Sequence, residues 1–531
     1  MDQHPSLTEI IATLSKILTT PTLLTAQPKS ISESKSRPPI LPRDIPNFNP
    51  LKLELTSLAL NFEDRDSDTL AALSRHLTTD ILPHLNLASL SPNYYGFVTG
   101  GATPAALLGD FLTSIYDQNV QVHLPRETIA TTLEVATLNL LVQLFRLPEA
   151  EWLIGGSGPG GGTFTTGATA SNVLGLALGR EYALRKALER KSKMNGTALS
   201  CGEWGIAEMM MKAGVRKIQI LSTLPHSGTA KAASLVGIGR RNIISISADH
   251  DPLQIDLGRL EQEARKEHVL SILAISTGEV NTGRFATNSS ALMSRLRSIC
   301  DELGIWIHVD GAFGLFGRIF SPDDLEYREI VQGVQGLELA DSITGDCHKL
   351  LNVPYDSGVF FTRHKGLSED VFRNGNAAYL TGAMGDGDVI QSPLHIGIEN
   401  SRRFRALPVY STLRAYGRDG YLDMLRRQVR LARRVSKWLL KDDRFEVLPG
   451  GADTDEVLAK TFIVVLFRVR DEEVSKDFVK NVNATGRIYI SGTVWDGKPA
   501  ARIAVSNWQV DVERDGGLIE DVLNQITGGR S

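Results

Sequence analysis

The sequence predicts an α/β protein: a large domain on a mostly parallel sheet, then a smaller α+β domain. Two observations carry this. Short apolar runs recur between helical patterns: KIQIL (217–221), NIISI (242–246), VLSILAI (269–275), IWIHV (305–309), DSIT (341–344) and SGVFF (357–361). Short buried strands alternating with helices form largely parallel sheets. After about residue 400 the pattern changes. A long basic helical stretch, 410–441, precedes two strand-like runs, TFIVVLF (461–467) and ARIAVSN (501–507).

Taken in order, the chain opens with MDQHPSLTEIIATLSKIL, which reads as an amphipathic helix. It lacks the basic-then-apolar layout of a secretory signal. Residues 20–50 are rich in Pro, Ser and Thr without a clear period, and predict an extended arm. Helical spacing returns over 51–90, at Leu70, Leu73 and Leu77. The run SPNYYGFVTGGATPAALLGDFL (91–112) reads as a Gly-rich turn entering a helix, and 126–146 and 170–190 read as helices. A break is expected near Gly417–Gly420 in the long basic helix. The predicted division is an N-terminal helical arm over 1–90, a large domain over 91–400 and a small one over 401–531.

Bulk properties bound the function. With 531 residues, 42% apolar and 22% charged, the chain is ordinary globular protein. A net charge of −4 gives no electrostatic case for nucleic acid or an anionic membrane. No apolar run reaches the roughly 18 residues of a spanning helix. Cys201, Cys300 and Cys347 are scattered without metal-ligand spacing, so a reducing compartment, by default the cytoplasm, is expected.

Four features on strand-to-helix turns carry chemistry, where open α/β sheets collect ligands. TGATASN (166–172) opens a helix, and Thr169, Ala170 and Ser171 could donate to a phosphate; an ordinary helix cap reads the same way. IWIHVDGAFG (305–314) ends a strand in Asp310, which could hold a protonated ring nitrogen or simply cap a turn, and Ala312 leaves room for a flat ring. Lys349, in GDCHKLLNVPYDSGVFF (345–361), follows His348 and opens an apolar run, a setting for an imine-forming lysine more than for a solvated one. His226, in LPHSGTAKAA (224–233), could stack on a flat cofactor, although lone histidines are commonly structural. A phosphate cup, a stacking ring, an acid at a strand end and a nucleophilic lysine are the parts that hold pyridoxal phosphate (PLP).

In these stretches, together with STGEVNTG, NSRRFRALPVYSTLRAYGRDG and SGTVWDGKPAARIAVSNW, the chain resembles the group II PLP-dependent amino-acid decarboxylases. The resemblance spans about 91–510. It implies the fold type I, aspartate-aminotransferase-like architecture with a mostly parallel seven-stranded sheet. Lys349 would form the Schiff base, Asp310 would pair with the pyridine nitrogen, Ala312 would pack on the ring and His226 on its other face. Thr169, Ala170, Ser171 and His348 would hold the phosphate, with Asp346 where relatives often carry Asn. The resemblance further implies a homodimer, with the N-terminal arm wrapping the partner, and loss of carbon dioxide from an amino acid bound in place of Lys349.

Two departures matter. Relatives carry a loop tyrosine that supplies a proton after decarboxylation, but TGAMGDGDVIQSPLHIGIEN (381–400) contains none. His395, or Tyr379 just before the loop, would take its place. Without such a donor a decarboxylating aldehyde synthase becomes the alternative. GEVNTG (278–283) places Glu279 where many decarboxylases have Thr. Tyr94, Tyr95 and Phe97 are expected in the pocket, tilting the substrate toward aromatic or bulky amino acids, and no further basic group is expected there. Arg402, Arg403 and Arg405 would bind a carboxylate or make structural contacts.

Overall fold

The computed structural model describes residues 7–18, 39–42, 69–192, 199–374 and 390–528. Most of the predicted arm, the first part of the 381–400 loop and Tyr379 lie outside them.

The large sheet contains β1 (Gly161–Thr165), β2 (Lys217–Ser222), β3 (Ile243–Ser245), β4 (Val269–Ser276), β5 (Trp306–Asp310), β6 (Ser342–Asp346) and β7 (Gly358–Thr362). Their order across the sheet is β1-β7-β6-β5-β4-β2-β3. Strand β7 is antiparallel to both neighbours, and the other pairings are parallel. The apolar runs therefore lie where the sequence predicts them. Strand β1 is an addition, since its residues GGTFT look like a glycine-rich loop. They are extended because Phe164 and its neighbours pair with the apolar strand β7.

Helix α1 (Ala168–Ser192) crosses one face of this sheet, and helix α2 (Ser290–Leu303) lies on the other. Alternation along β5 serves both faces. Ile307 and Val309 join one core, while Trp306 joins the cluster under α1. Every residue of β5 is buried, as expected of a central parallel strand.

The smaller sheet has the order β10-β11-β9-β8, formed by β8 (Phe445–Leu448), β9 (Val464–Val469), β10 (Ser491–Trp495) and β11 (Lys498–Ala504). Strands β8 and β10 escape sequence reading because they are short, and β10 has no buried residue, alternating between half-buried and exposed positions. Helix α3 (Ala406–Leu440) connects the two sheets, and its break falls at Gly417, where φ is 58°. No described helix is long and apolar enough to cross a membrane.

Candidate active site

Lys349 sits on the single turn Cys347–Leu350 that follows β6. What comes after it is clamped. Asn352 adopts φ 54°, and its Nδ2 donates to the carbonyls of Gly100 (2.7 Å) and Ser506 (3.0 Å). The Tyr421 hydroxyl donates to Leu351 O at 2.9 Å. Gly100 is pressed so close that a Cβ there would stand 2.0 Å from Lys349 O, so no other residue fits. The glycine-rich turn near 100 is thus the backstop of the lysine.

Nζ of Lys349 lies 2.7 Å from Asp346 Oδ2, and Asp346 Oδ1 accepts from the Ala168 N–H at 2.6 Å. The lysine amine thus faces an anion. This also corrects the phosphate role of Asp346, because its carboxylate accepts hydrogen bonds and repels a phosphate. Asp346 instead ties the lysine to the first turn of α1.

A cavity of about 420 Å³ opens around Lys349, a size suited to a cofactor with a small substrate. Thr169, Ala170, His226, Asp310, Ala312, Asp346, His348 and Lys349 all line it. Eight of the nine predicted site positions in the cavity-forming turns therefore converge. Ser171 does not. It is fully buried, and its Oγ pairs with Thr165 Oγ1 (2.8 Å) and Val359 O (3.2 Å), facing the sheet. One residue along the helix turns the side chain away from the cavity. The N–H groups in the first turn of an α-helix lack intrahelical acceptors, and Thr169 and Ala170 of that turn line the cavity.

Asp310 ends β5. Its Oδ2 accepts from Asn172 Nδ2 (2.8 Å) and Thr229 Oγ1 (3.3 Å), and Oδ1 from the Ala312 N–H (3.4 Å). His226 caps the helix Ser227–Leu235, with Nδ1 accepting from the Gly228 N–H at 3.1 Å. Burial pushes the His348 imidazole below its usual range, with Asp346 partly opposing. Its Nδ1 is buried and finds no partner among the described residues. His395 is not among the residues lining the cavity of its own chain. Its Nδ1 accepts from the Asn374 N–H at 3.2 Å, on a separate short helix, Pro393–His395.

The aromatic cluster near 95 also needs correction. Tyr94 stacks on Tyr489, with centroids 4.6 Å apart, and Tyr95 is buried in the core of the smaller domain. Backbone pairing of Tyr95 with Tyr489 and Ala504 draws them there. Only Phe97 of the three faces the cavity. The clustered arginines are structural. Arg402 forms a buried bidentate pair with Glu134, Arg403 binds Asp110, and Arg405 binds Asp356 and Glu399. Glu279 is spent locally, accepting from the Thr282 N–H (2.8 Å) and Thr282 Oγ1 (2.9 Å), and braces its own turn.

Sequence reading missed Arg502. It reaches the cavity from β11, donating from Nε to Val280 O (2.6 Å) and from Nη1 to Phe97 O (2.8 Å). Burial lowers its pKa to about 10, so it remains charged at neutral pH. Only its place in the strand-like ARIAVSN could have flagged it, as a charge amid apolar residues.

The carboxylate of Asp310, the N-terminus of α1 and Lys349 share one cavity, and these are the kinds of group that the polar ends of PLP require. The model of the pyridoxal-dependent decarboxylase conserved domain matches residues 59–460. The chain belongs to that family. As a pyridoxal-dependent amino-acid decarboxylase it is a carboxy-lyase with PLP as cofactor. It is 26% identical over 468 residues to the aromatic-L-amino-acid decarboxylase of Catharanthus roseus, covering 86% of this chain and 83% of that protein. It is 25% identical over 413 residues to a 4-hydroxyphenylacetaldehyde synthase of Rhodiola rosea, covering 76% and 74%. The fold of this decarboxylase matches the crystal structure of Oryza sativa TDC with PLP and tryptamine, with a TM-score of 0.79, 22% identity and 99% of each chain covered.

Proposed function

We propose that this decarboxylase acts on an aromatic or bulky apolar L-amino acid. Lys349 would bond to PLP, Asp310 would face its ring nitrogen, and Ala312 and His226 would flank the ring. Thr169, Ala170 and His348 would hold its phosphate. The observation that carries the substrate reading is the cavity wall. Arg502 is the one guanidinium among the described lining residues, and Phe97, Val98, Val280 and Phe313 are apolar. Arginine suits a carboxylate. With Arg502 engaged by the α-carboxylate, an acidic side chain would find no second arginine. The aromatic-amino-acid relative supports the same reading.

PLP, when bound, accepts the electron pair left as carbon dioxide departs. The chain supplies the rest. Arg502 orients the carboxylate, and the apolar wall excludes water from it. Tyr355 carries the one phenol among the described lining residues, with its ring 4.4 Å from that of His348. Its hydroxyl would return a proton to the substrate carbon, the part first expected of His395.

A second reading, a decarboxylating aldehyde synthase, is favoured by the absence of tyrosine from 381–400 and by the Rhodiola relative. A homodimer is proposed on the apolar surface of the helix Pro104–Tyr116, where Leu108 and Ile115 are exposed.

The test uses purified protein with PLP, screened against amino acids while carbon dioxide, amine, ammonia and peroxide are followed together. Equal amine and carbon dioxide from an aromatic amino acid are expected. Carbon dioxide with ammonia and peroxide would select the aldehyde synthase. Turnover restricted to acidic amino acids would overturn the substrate class.

A further inference from the structure

A buried chain of hydrogen bonds leads away from Asp310 under helix α1. Asn172 Nδ2 donates to Asp310 Oδ2 at 2.8 Å. Asn172 Oδ1 is 2.8 Å from His308 Nε2, His308 Nδ1 is 2.8 Å from Ser342 Oγ, and Ser342 Oγ is 3.0 Å from Trp306 Nε1. Trp306, Ser342 and His308 are fully buried, and Asn172 is 1% exposed. They are closed off from bulk solvent.

The two ends of the chain together set the direction of every bond. A carboxylate oxygen accepts, so the Asn172 NH2 points to Asp310 and its Oδ1 to His308. Asn172 Oδ1 accepts from His308 Nε2, so the imidazole proton is on Nε2 and Nδ1 is an acceptor. The Ser342 hydroxyl then donates to Nδ1, while its oxygen accepts from the Trp306 indole N–H, which is a donor only. A reversed amide would set two acceptors against each other at Asp310 and two donors against each other at His308, at a cost of the order of a lost buried hydrogen bond each. Burial lowers the His308 pKa to about 4, consistent with a neutral ring.

We propose that Trp306, Ser342, His308 and Asn172 form a one-way relay that presents Asp310 as a fixed acceptor to the ring N–H of PLP. The inference rests on Asp310 being the ring-nitrogen partner. These four are positioning residues, since they touch neither substrate nor cofactor. Oδ2 of Asp310 is occupied by Asn172 and Thr229, which leaves Oδ1, opposed only by the long Ala312 contact, for the cofactor.

The test compares the apoprotein's dissociation constants for PLP and for 1-deaza-PLP, which lacks the ring nitrogen, by fluorescence quenching. In the wild type, PLP binds more tightly. Asp310→Asn erases that preference. Asn172→Leu and Trp306→Phe each reduce it roughly tenfold, the size of one hydrogen bond to a charged group. The 15N shifts of His308 in the wild-type apoprotein show the Nε2–H tautomer, a readout that needs no variant to fold. An Nδ1–H tautomer, or a preference lost in Asp310→Asn but intact in Asn172→Leu and Trp306→Phe, overturns the relay while leaving Asp310 in place. Equal affinity of the wild type for both compounds removes Asp310 as the ring partner, and the relay with it.

Discussion

Arg502 Nη1 donates to the Phe97 carbonyl at 2.8 Å, so a guanidinium from the smaller sheet is fixed against the glycine-rich turn of the larger domain. Substitution tests its part in substrate binding. Arg502→Gln raises KM about tenfold or more, the size of a lost charge-assisted bond, with a smaller change in kcat. Arg502→Lys keeps the charge but not the fork, and falls between. Steady-state carbon dioxide release gives both constants. An unchanged KM would take Arg502 out of carboxylate binding.

Glu134 and Arg402 form a bidentate pair in which both side chains are nearly fully buried. Removing one partner strands a charge. Arg402→Met costs about 3–5 kcal/mol, and Arg402→Met with Glu134→Leu recovers most of it. Urea denaturation of the two variants decides this.

His308 makes stability depend on pH. Burial lowers its pKa from 6.5 to about 4. Between those values the unfolded chain binds a proton that the folded chain refuses. Stability therefore falls as pH drops from about 6.5 to about 4, by about 3 kcal/mol from this group, and is unaffected above that window. His308→Gln makes the fall shallower by that amount in unfolding midpoints measured across the window.

Gly175 lets α1 lie directly on His308. A Cβ there would stand 2.3 Å from His308 Nδ1, with no flexible end to yield. Gly175→Ala forces helix and strand apart and costs about 1–3 kcal/mol. It also weakens PLP binding, because Asn172 rides on the same helix. Thermal unfolding and cofactor titration report the two effects separately. A wild-type Tm would show that the helix adjusts freely.

Tyr355→Phe tests the proton donor. The variant keeps the ring against His348 and loses the hydroxyl. Amine formation falls by about 10²-fold or more, the usual worth of a general acid, and in air, with dioxygen as the two-electron oxidant, aldehyde, ammonia and peroxide rise in its place. Unchanged amine output would return the role to the 381–400 loop.

Apolar runs marked six of the seven strands of the large sheet, because a central parallel strand is apolar on both faces. Strand β1 was illegible because its glycines acquire extended structure only by pairing with β7. The turns that end strands marked Lys349, Asp310 and His226, because chemistry in this fold gathers at strand ends. Ser171 was misread for want of a helical phase, since neighbouring residues of one turn face opposite ways. Tyr94 and Tyr95 were misread because nothing local shows that their turn pairs with residues 489 and 504.

The sequence by itself determined the cofactor chemistry and the alternation of strands with helices, since both are written in short contiguous patterns of residue type. The tertiary structure alone decided what those residues touch. Asn172 meets Asp310 across 138 positions, and Arg502 meets Phe97 across 405. Hydrogen bonds at such range leave no periodicity in the chain. They exist only once the sheet has set the helix and the second domain against the same strand ends.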